Sequence, residues 1–294
     1  MNVTAAATPR FPPWLVLGFA IVAVAHGSIF VRLAEAPALA VAAWRLTLAT
    51  AVVLPIAWAL EREALSRIDR RTLLLGILAG GLLAGHFATW IASLSYTSIS
   101  NSVVLVTTAP VWVALIGLAT GALRLSRGMW LAVGLSLAGS LVIGWGSARI
   151  GSTTLKGDLL AVAGAVCLAG YLLLAQRVQR QLAFLPYVAL AYGSAAAWLW
   201  IAALADATPM VGFDMKTWGA LIGIALVSQL IGHSGYNWSL RHLSPDFVAV
   251  TLLGEPILAS LLGLLFFTEA IPAATLAGGC LVLAAIVMAS RSNP

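Results

Sequence analysis

Residues 250–256 read VTLLGEP and place a Glu–Pro step inside a long apolar run. Glu255 is the one acidic residue near the centre of any hydrophobic segment, where a carboxylate is costly unless it has a partner or a function. Pro256 removes a helical hydrogen bond and permits a kink. A counterpart lies 146 positions earlier, where residues 104–110 read VLVTTAP and end on Pro110. This pairing predicts one structural unit used twice.

The composition predicts a membrane protein. Of 294 residues, 61% are hydrophobic and 9% are charged, and the mean hydropathy is +1.00, whereas an ordinary soluble domain carries about 25% charged residues. The net charge is +6, but the basic residues are scattered between apolar runs rather than grouped with aromatics, which argues against a nucleic-acid partner. Cys167 and Cys280 lie inside apolar runs and predict neither a disulfide framework nor a zinc site.

Apolar runs of about 20 residues, the length that spans a bilayer, predict an all-α polytopic fold. There are ten, at residues 14–31, 37–60, 72–95, 101–121, 128–146, 157–176, 185–204, 216–240, 247–267 and 272–290. Eleven of the sixteen basic residues lie on the side of the N-terminus and four on the other, with Arg45 inside the second span. Basic loops stay in the cytoplasm, so we expect both termini there and the chain in the inner (plasma) membrane.

The two halves resemble each other in more than one place. Besides the two prolines, Gly85–His86 in the third span is echoed by Gly232–His233 in the eighth. Five spans per half is an odd number, so the second half must be inverted relative to the first, which is typical of transporters. We therefore predict a cytoplasmic tail (1–13), a five-helix repeat (14–146), a second, inverted five-helix repeat (157–290) and a C-terminal tail (291–294).

This arrangement, with Arg45 in WRLTLA and Glu255 in GEP, resembles the EamA-type branch of the drug/metabolite transporter superfamily over essentially the whole chain. Within that branch it is most similar to the YddG-type aromatic amino-acid exporters. The resemblance implies a carrier that moves amino acids or related metabolites out of the cytoplasm through a central cavity between the halves. His26 stands in the first span where small multidrug members carry a glutamate, and no span contains a lysine, which argues against drug/proton antiport and against phosphorylated substrates.

Polar and aromatic residues at helical spacing predict the cavity lining, because lipid would leave such polar stripes without partners. One stripe runs through His86 and Trp90 in the third span, and another through Gln229 and His233 in the eighth. Trp44, Trp90 and Trp112 lie deeper than an aromatic belt reaches. The predicted substrate-cavity residues are His86, Trp90, Asn101, Thr108, Trp112, Tyr171, His233 and Glu255. Each Ser, Thr or Asn can equally be an interhelical hydrogen bond.

Glu255 and Arg45 are the candidates for charge recognition or ion coupling. Four interpretations stay open: a buried ion pair between them, a position of each charge near an aqueous vestibule, an Arg45 that snorkels to the interface, or a Glu255 that binds a substrate ammonium or a proton while Arg45 receives a carboxylate. Pro110 and Pro256 are hinge candidates.

The sequence thus predicts a secondary transporter for small amphipathic metabolites, with amino acids, including aromatic ones, first among them, exported by alternating access. One alternative is a proton-coupled exporter of drugs or other metabolites. An alternative of another class is a membrane-embedded enzyme, but the sequence lacks HExxH, GxSxG and paired aspartates. It also lacks a phosphate-binding loop, and we expect no cofactor and no metal. The prediction is compatible with a monomer.

Overall fold

The computed structural model describes residues 12–121, 126–239, 242 and 254–291, and these are helical, with no strand among them. The helices are α1 (Pro13–Ala25), α2 (Gly27–Leu33), α3 (Ala38–Ser66), α4 (Arg70–Ser93), α5 (Ile99–Val106), α6 (Ala109–Ala119), α7 (Arg127–Ile150), α8 (Ser152–Gln179), α9 (Phe184–Ala205), α10 (Met215–Gly223), a π-helix (Ile224–His233), α11 (Ser234–Ser239), α12 (Gly254–Phe267) and α13 (Ala273–Arg291).

Eight helical segments among the described residues are long and apolar enough to cross a membrane, which confirms the predicted class. They are Pro13–Leu33, Ala38–Ser66, Arg70–Ser93, Ile99–Ala119, Arg127–Ser147, Ser152–Gln179, Phe184–Ala205 and Met215–Ser239. Two shorter apolar helices, Gly254–Phe267 and Ala273–Met288, follow in the positions of the last two predicted spans. Of the VTLLGEP stretch, residues 250–253 lie outside the described residues.

Three of the predicted spans are not continuous α-helices. The first is interrupted at His26, whose Nδ1 lies 2.7 Å from the carbonyl oxygen of Val22. The fourth is interrupted at Thr107 and Thr108, directly before the first turn of α6, where Pro110 stands. A proline in the first turn of a helix sacrifices no helical hydrogen bond. Because α6 begins directly before Pro110, this proline does not destabilise the helix. The eighth span contains the ten-residue π-helix.

Several of the helix N-termini are capped by side chains. Asp69 precedes α4 and accepts hydrogen bonds from the backbone N–H groups of Arg71 and Thr72 and from the Thr72 hydroxyl. These bonds favour the ionised carboxylate, and they hold the pKa of Asp69 below its ordinary value. Ser98 and Ser126 cap α5 and α7 in the same way. The starts of these spans are therefore set by local sequence.

The helices pack across the two halves of the chain. Helix α3 packs on α9, α4 on α8, α1 on the π-helix, α5 on α12 and α7 on α13. The outer surface stays apolar: Trp145 is 72% exposed and Leu265 is 74% exposed. Apolar side chains this exposed suit contact with lipid rather than water. Polar side chains are instead enclosed between the two halves.

Candidate functional site

A cavity of about 120 Å³ lies between the two halves of the chain. A single water needs roughly 10–15 Å³ of such space, so the cavity holds far more than one water molecule. Both halves contribute side chains from several helices. The lining residues are Val24, Arg45, His86, Trp90, Val106, Thr107, Ala109, Pro110, Leu168, Tyr171, Leu172, His233, Tyr236, Asn237, Glu255 and Ile286.

Five of the eight predicted substrate-cavity residues line this one cavity. They come from α4, α8, the π-helix and α12, and they are His86, Trp90, Tyr171, His233 and Glu255. The hinge candidate Pro110 also lines it, and Pro256 is buried beside Glu255 in α12. His86 and His233, which we predict to be repeat counterparts, therefore line the same space, together with Pro110 and Glu255.

Arg45 lies in α3 and is almost completely enclosed, with 1% of its surface exposed. Its Nε donates a 2.6 Å hydrogen bond to the side-chain oxygen of Gln229 in the π-helix. Its guanidinium carbon lies 4.0 Å from the centre of the Phe87 ring and 5.8 Å from that of Trp90. Arg45 thus does not snorkel to the interface. Aromatic faces and one amide oxygen fix its orientation inside the protein.

Glu255 lines the cavity, and among the described residues no basic side chain lies within contact distance of its carboxylate. Among the described residues, the ion pairs within 4.0 Å are Arg32 with Glu269, Arg67 with Glu63 and Lys216 with Glu35. The expected alternative of a buried Arg45–Glu255 ion pair is therefore wrong at contact distance. The two charges share a cavity without neutralising each other directly, so the cavity presents one cation and one acid.

Aromatic rings connect the charged groups to the cavity wall. The rings of His86 and Trp90 are stacked with 6° between their planes and 6.3 Å between their centres. Phe87 meets His233 edge to face at 5.4 Å. The Nδ1 of His86 lies 3.0 Å from the carbonyl oxygen of Gly164 and donates to it, which leaves Nε2 of that ring as an acceptor. Flat rings of this kind offer stacking surface to a planar or cationic ligand.

Tyr171 extends the wall on the side of α8. Its hydroxyl lies 2.5 Å from that of Tyr187 in α9. A buried phenol with a hydrogen-bond partner can serve as a wall without an unsatisfied polar atom.

Asn101 lies outside this cavity, in a buried polar cluster around Asp158. The Asp158 carboxylate accepts hydrogen bonds from Thr97 at 2.7 Å, from Ser147 at 2.5 Å and from Asn101 at 3.4 Å. The Thr275 hydroxyl donates to the side-chain oxygen of Asn101. The cluster joins the segment between α4 and α5 to α5, α7, α8 and α13, so Asn101 holds helices together.

The remaining predicted aromatic and hydroxyl residues also lie away from the lining. Trp112 donates from its indole nitrogen to the Thr108 hydroxyl at 3.2 Å, within α6 and the turn before it. Trp44 donates at 2.7 Å to the carbonyl oxygen of Met210 in the segment between α9 and α10. Trp44 is not among the residues that line the cavity.

The predicted cavity residues did not include Tyr236 and Asn237, which line the cavity, nor Phe87 and Gln229, which contact Arg45. The burial of Asp158 in the polar cluster was not predicted either. The Arg45 guanidinium lies over the face of the Phe87 ring. Nothing in the sequence distinguishes Phe87 from the other apolar residues of the third span. Gln229 was placed in the right stripe, yet its bond to Arg45 was not foreseen. Asp158 stood at the edge of the sixth span, where a carboxylate gives no signal of burial. Among the described residues, no three His, Cys, Asp or Glu side chains are grouped so that they could hold a metal ion.

Comparison with known proteins agrees with this architecture. A solved crystal structure of another protein superposes with a TM-score of 0.66 over 94% of this chain and 96% of the other, at 20% sequence identity. At that identity the similarity establishes the fold alone. No curated protein matches the sequence. The sequence pattern of the EamA-like transporter family matches twice, over residues 13–145 and 155–291. Since these two matches cover most of the chain, the protein belongs to the EamA-like transporter family and is a multi-pass membrane transporter of small molecules.

Proposed function

We propose that this chain is a secondary transporter that moves small amphipathic metabolites out of the cytoplasm, with amino acids, including aromatic ones, first among its substrates. The observation that carries the proposal is the cavity between the two halves, which combines Arg45, Glu255 and a wall of aromatic rings. An amino acid has a carboxylate, an ammonium group and a side chain. The cavity offers a cation, an acid and an apolar or stacking surface in one place.

The architecture we propose is ten membrane helices in two inverted five-helix halves, 14–146 and 157–290, with tails 1–13 and 291–294 and both termini in the cytoplasm. The two separate family matches support one repeat per half. The packing adds support, because exchanging the halves maps several of its main contacts onto each other: the first span packs on the eighth as the sixth packs on the third, and the fifth packs on the tenth. The excess of basic residues on the side of the termini supports the orientation.

Alternating access fits a site at the interface between such halves, because rocking one half against the other exposes the site to each side in turn. The interruption of the fourth span at Thr107 and Thr108, next to Pro110, lies on the cavity wall. A point where the helical hydrogen bonds are already interrupted is a favourable place for bending. Pro110 and Pro256 therefore remain our hinge candidates.

The preference for aromatic side chains, which would place the protein with the YddG-type exporters, is supported by the rings around the cavity. The stacked pair of His86 and Trp90 lines the same cavity as Tyr171 and the apolar residues Leu168 and Leu172. Stacked or edge-to-face aromatic pairs contribute about 0.5–1.5 kcal/mol beyond their buried area. An aromatic substrate side chain would therefore bind better than an aliphatic side chain of equal size.

A second candidate function is proton-coupled export of drugs or other metabolites, and Glu255 is the observation that favours it. A cavity carboxylate without a basic partner in contact can bind a substrate ammonium or exchange a proton. The two functions differ in whether an imposed pH gradient drives uptake. Gradient-driven uptake that disappears in Glu255→Gln would favour proton coupling.

The main test is counterflow in proteoliposomes that contain the purified protein. Vesicles loaded with unlabelled tryptophan, threonine or buffer receive labelled tryptophan outside. We expect uptake only into vesicles loaded with substrate, and its loss in Trp90→Ala, since that residue lines the cavity. Trp145→Ala is the matched control, because Trp145 is 72% exposed on the outer surface and should retain full counterflow. Absence of counterflow with every amino acid would refute the proposed substrate class.

A further inference from the structure

We propose that Arg45 and Trp90 form a carboxylate-binding subsite in the cavity, with Arg45 held in place by Gln229, so that the transported metabolites are recognised by a free carboxylate. The inference rests on the proposed function and narrows its substrate class. It starts from four buried nitrogen atoms that have no hydrogen-bond partner among the described residues. They are Nη1 and Nη2 of Arg45, Nε1 of Trp90 and Nε2 of Gln229.

All four atoms are donors. A buried donor without a partner costs about 1–3 kcal/mol, and a charged one costs more. Such groups are rare in native proteins, and each needs an explanation. Three of them, Nη1 and Nη2 of Arg45 and Nε1 of Trp90, belong to residues that line the cavity, and they lack one kind of partner only, an acceptor. The cluster is therefore complementary to a ligand that brings acceptor oxygens and no donors to this point.

The charge and shape of the cluster select a carboxylate. No acidic oxygen of the described residues lies within 4.0 Å of the Arg45 guanidinium. The two free terminal nitrogens of an arginine match the two oxygens of a carboxylate in a bidentate pair. A single arginine balances one negative charge. A dianionic phosphate would leave excess negative charge in a cavity that already contains Glu255.

Gln229 acts as a positioning residue through its place in the π-helix. Its side-chain oxygen accepts from Nε of Arg45 at 2.6 Å, which holds one edge of the guanidinium and leaves the other two nitrogens free. The face of the guanidinium rests on Phe87 at 4.0 Å. π-helical turns are rare and occur often at functional sites. Here the π-helix places His233 on the cavity wall and Gln229 against the Nε side of Arg45.

The inference predicts that acids and their amides are discriminated. Tryptophan should bind, and tryptophanamide should bind on the order of 100-fold more weakly, because a neutral amide brings donors and no charge to a donor-only site. The same difference should separate 3-phenylpropionate from 3-phenylpropionamide, which lack the ammonium group. The comparison within each pair changes the carboxylate alone.

The test measures the thermal stability of the whole purified protein in detergent with each acid and its amide. We expect each acid to raise Tm and its amide to leave Tm unchanged at the same concentration. An amide that stabilises as well as its acid, or a panel in which no acid stabilises, would overturn the inference. If tryptophan counterflow occurs and tryptophanamide competes equally, the carboxylate subsite fails while the transport function stands. If acids stabilise the protein but no amino acid shows counterflow, the carboxylate subsite stands while the proposed transport of amino acids fails.

Variants at Gln229 sharpen the test, because Arg45→Ala would empty a fully packed position and threaten folding. Gln229→Glu keeps the size of the side chain and places a carboxylate within hydrogen-bond distance of the guanidinium. We expect an unchanged or higher Tm without ligand and at least a tenfold loss of acid binding, since the charge of Arg45 is then satisfied internally. A purely structural role for Gln229 would leave acid binding intact.

Thr50→Val is the matched control. The Thr50 hydroxyl is also buried without a partner, and Thr50 lies on the same helix as Arg45 but not on the cavity wall. Its methyl group faces Gly193 of α9. We expect acids to raise the Tm of this variant as much as they raise that of the unaltered protein.

Discussion

Replacing Gly139 with alanine tests how closely α7 and α13 approach. A Cβ atom on Gly139 would lie 2.6 Å from the backbone oxygen of Gly278 and 2.9 Å from a methyl carbon of Val282. The reverse is also true, since a Cβ on Gly278 would lie 2.5 Å from the backbone oxygen of Gly139. A backbone atom cannot move away by changing rotamer as a side chain can, so the two helices must separate.

Overpacking of this kind costs about 1–3 kcal/mol. The separation would loosen the small cluster in which Ile143 and Val282 are buried. The same substitution at Gly134, on the same helix, is the matched control, because nothing lies within 4 Å of a Cβ there. Alanine is favoured over glycine in a helix by about 1 kcal/mol. Both substitutions gain this amount, so the two variants should differ by the overpacking cost alone, about 1–3 kcal/mol.

The assay measures the Tm of each purified variant in detergent. The Tm is the temperature at which heating removes half of the monodisperse peak in size-exclusion chromatography. For a chain of this size about 1 kcal/mol corresponds to roughly 2–4 °C, so we expect Gly139→Ala to melt several degrees below Gly134→Ala. Acid binding in the cavity should survive in both. Equal melting temperatures would refute the close contact between the two helices.

Two further predictions concern polar contacts outside the cavity. Asp158→Ala should lower stability by about 2–4 kcal/mol, because it leaves the buried hydroxyls that donate to this carboxylate without an acceptor; an unchanged Tm would contradict the buried cluster. Glu269→Gln removes the charge from a partly buried 2.9 Å ion pair with Arg32 and should lower Tm, with a smaller effect at high salt. The control Glu63→Gln breaks an exposed pair with Arg67, which should contribute almost nothing, so equal effects of the two substitutions would count against a specific role for Glu269.

Much of the fold could be predicted from the sequence because its solvent is lipid. A run of about 20 apolar residues has few alternatives to a membrane helix, and the predicted spans agree with the helices to within a few residues except where α3 and α8 run beyond theirs. The candidate site was predicted in part for the same reason. Polar and aromatic residues such as His86, Trp90 and Glu255 must turn away from lipid, so they meet in the interior.

The sequence alone determined that this chain is a membrane protein, where its helices begin, and which residues avoid lipid, because each of these follows from the transfer of local segments between water and bilayer. Only the tertiary structure decided that Asn101 joins Asp158 rather than the cavity, that Arg45 bonds to Gln229 rather than Glu255, and that the eighth span contains a π-helix. Those outcomes depend on the rotation and approach of helices far apart in sequence. A periodicity within one helix carries no information about the partner it will meet.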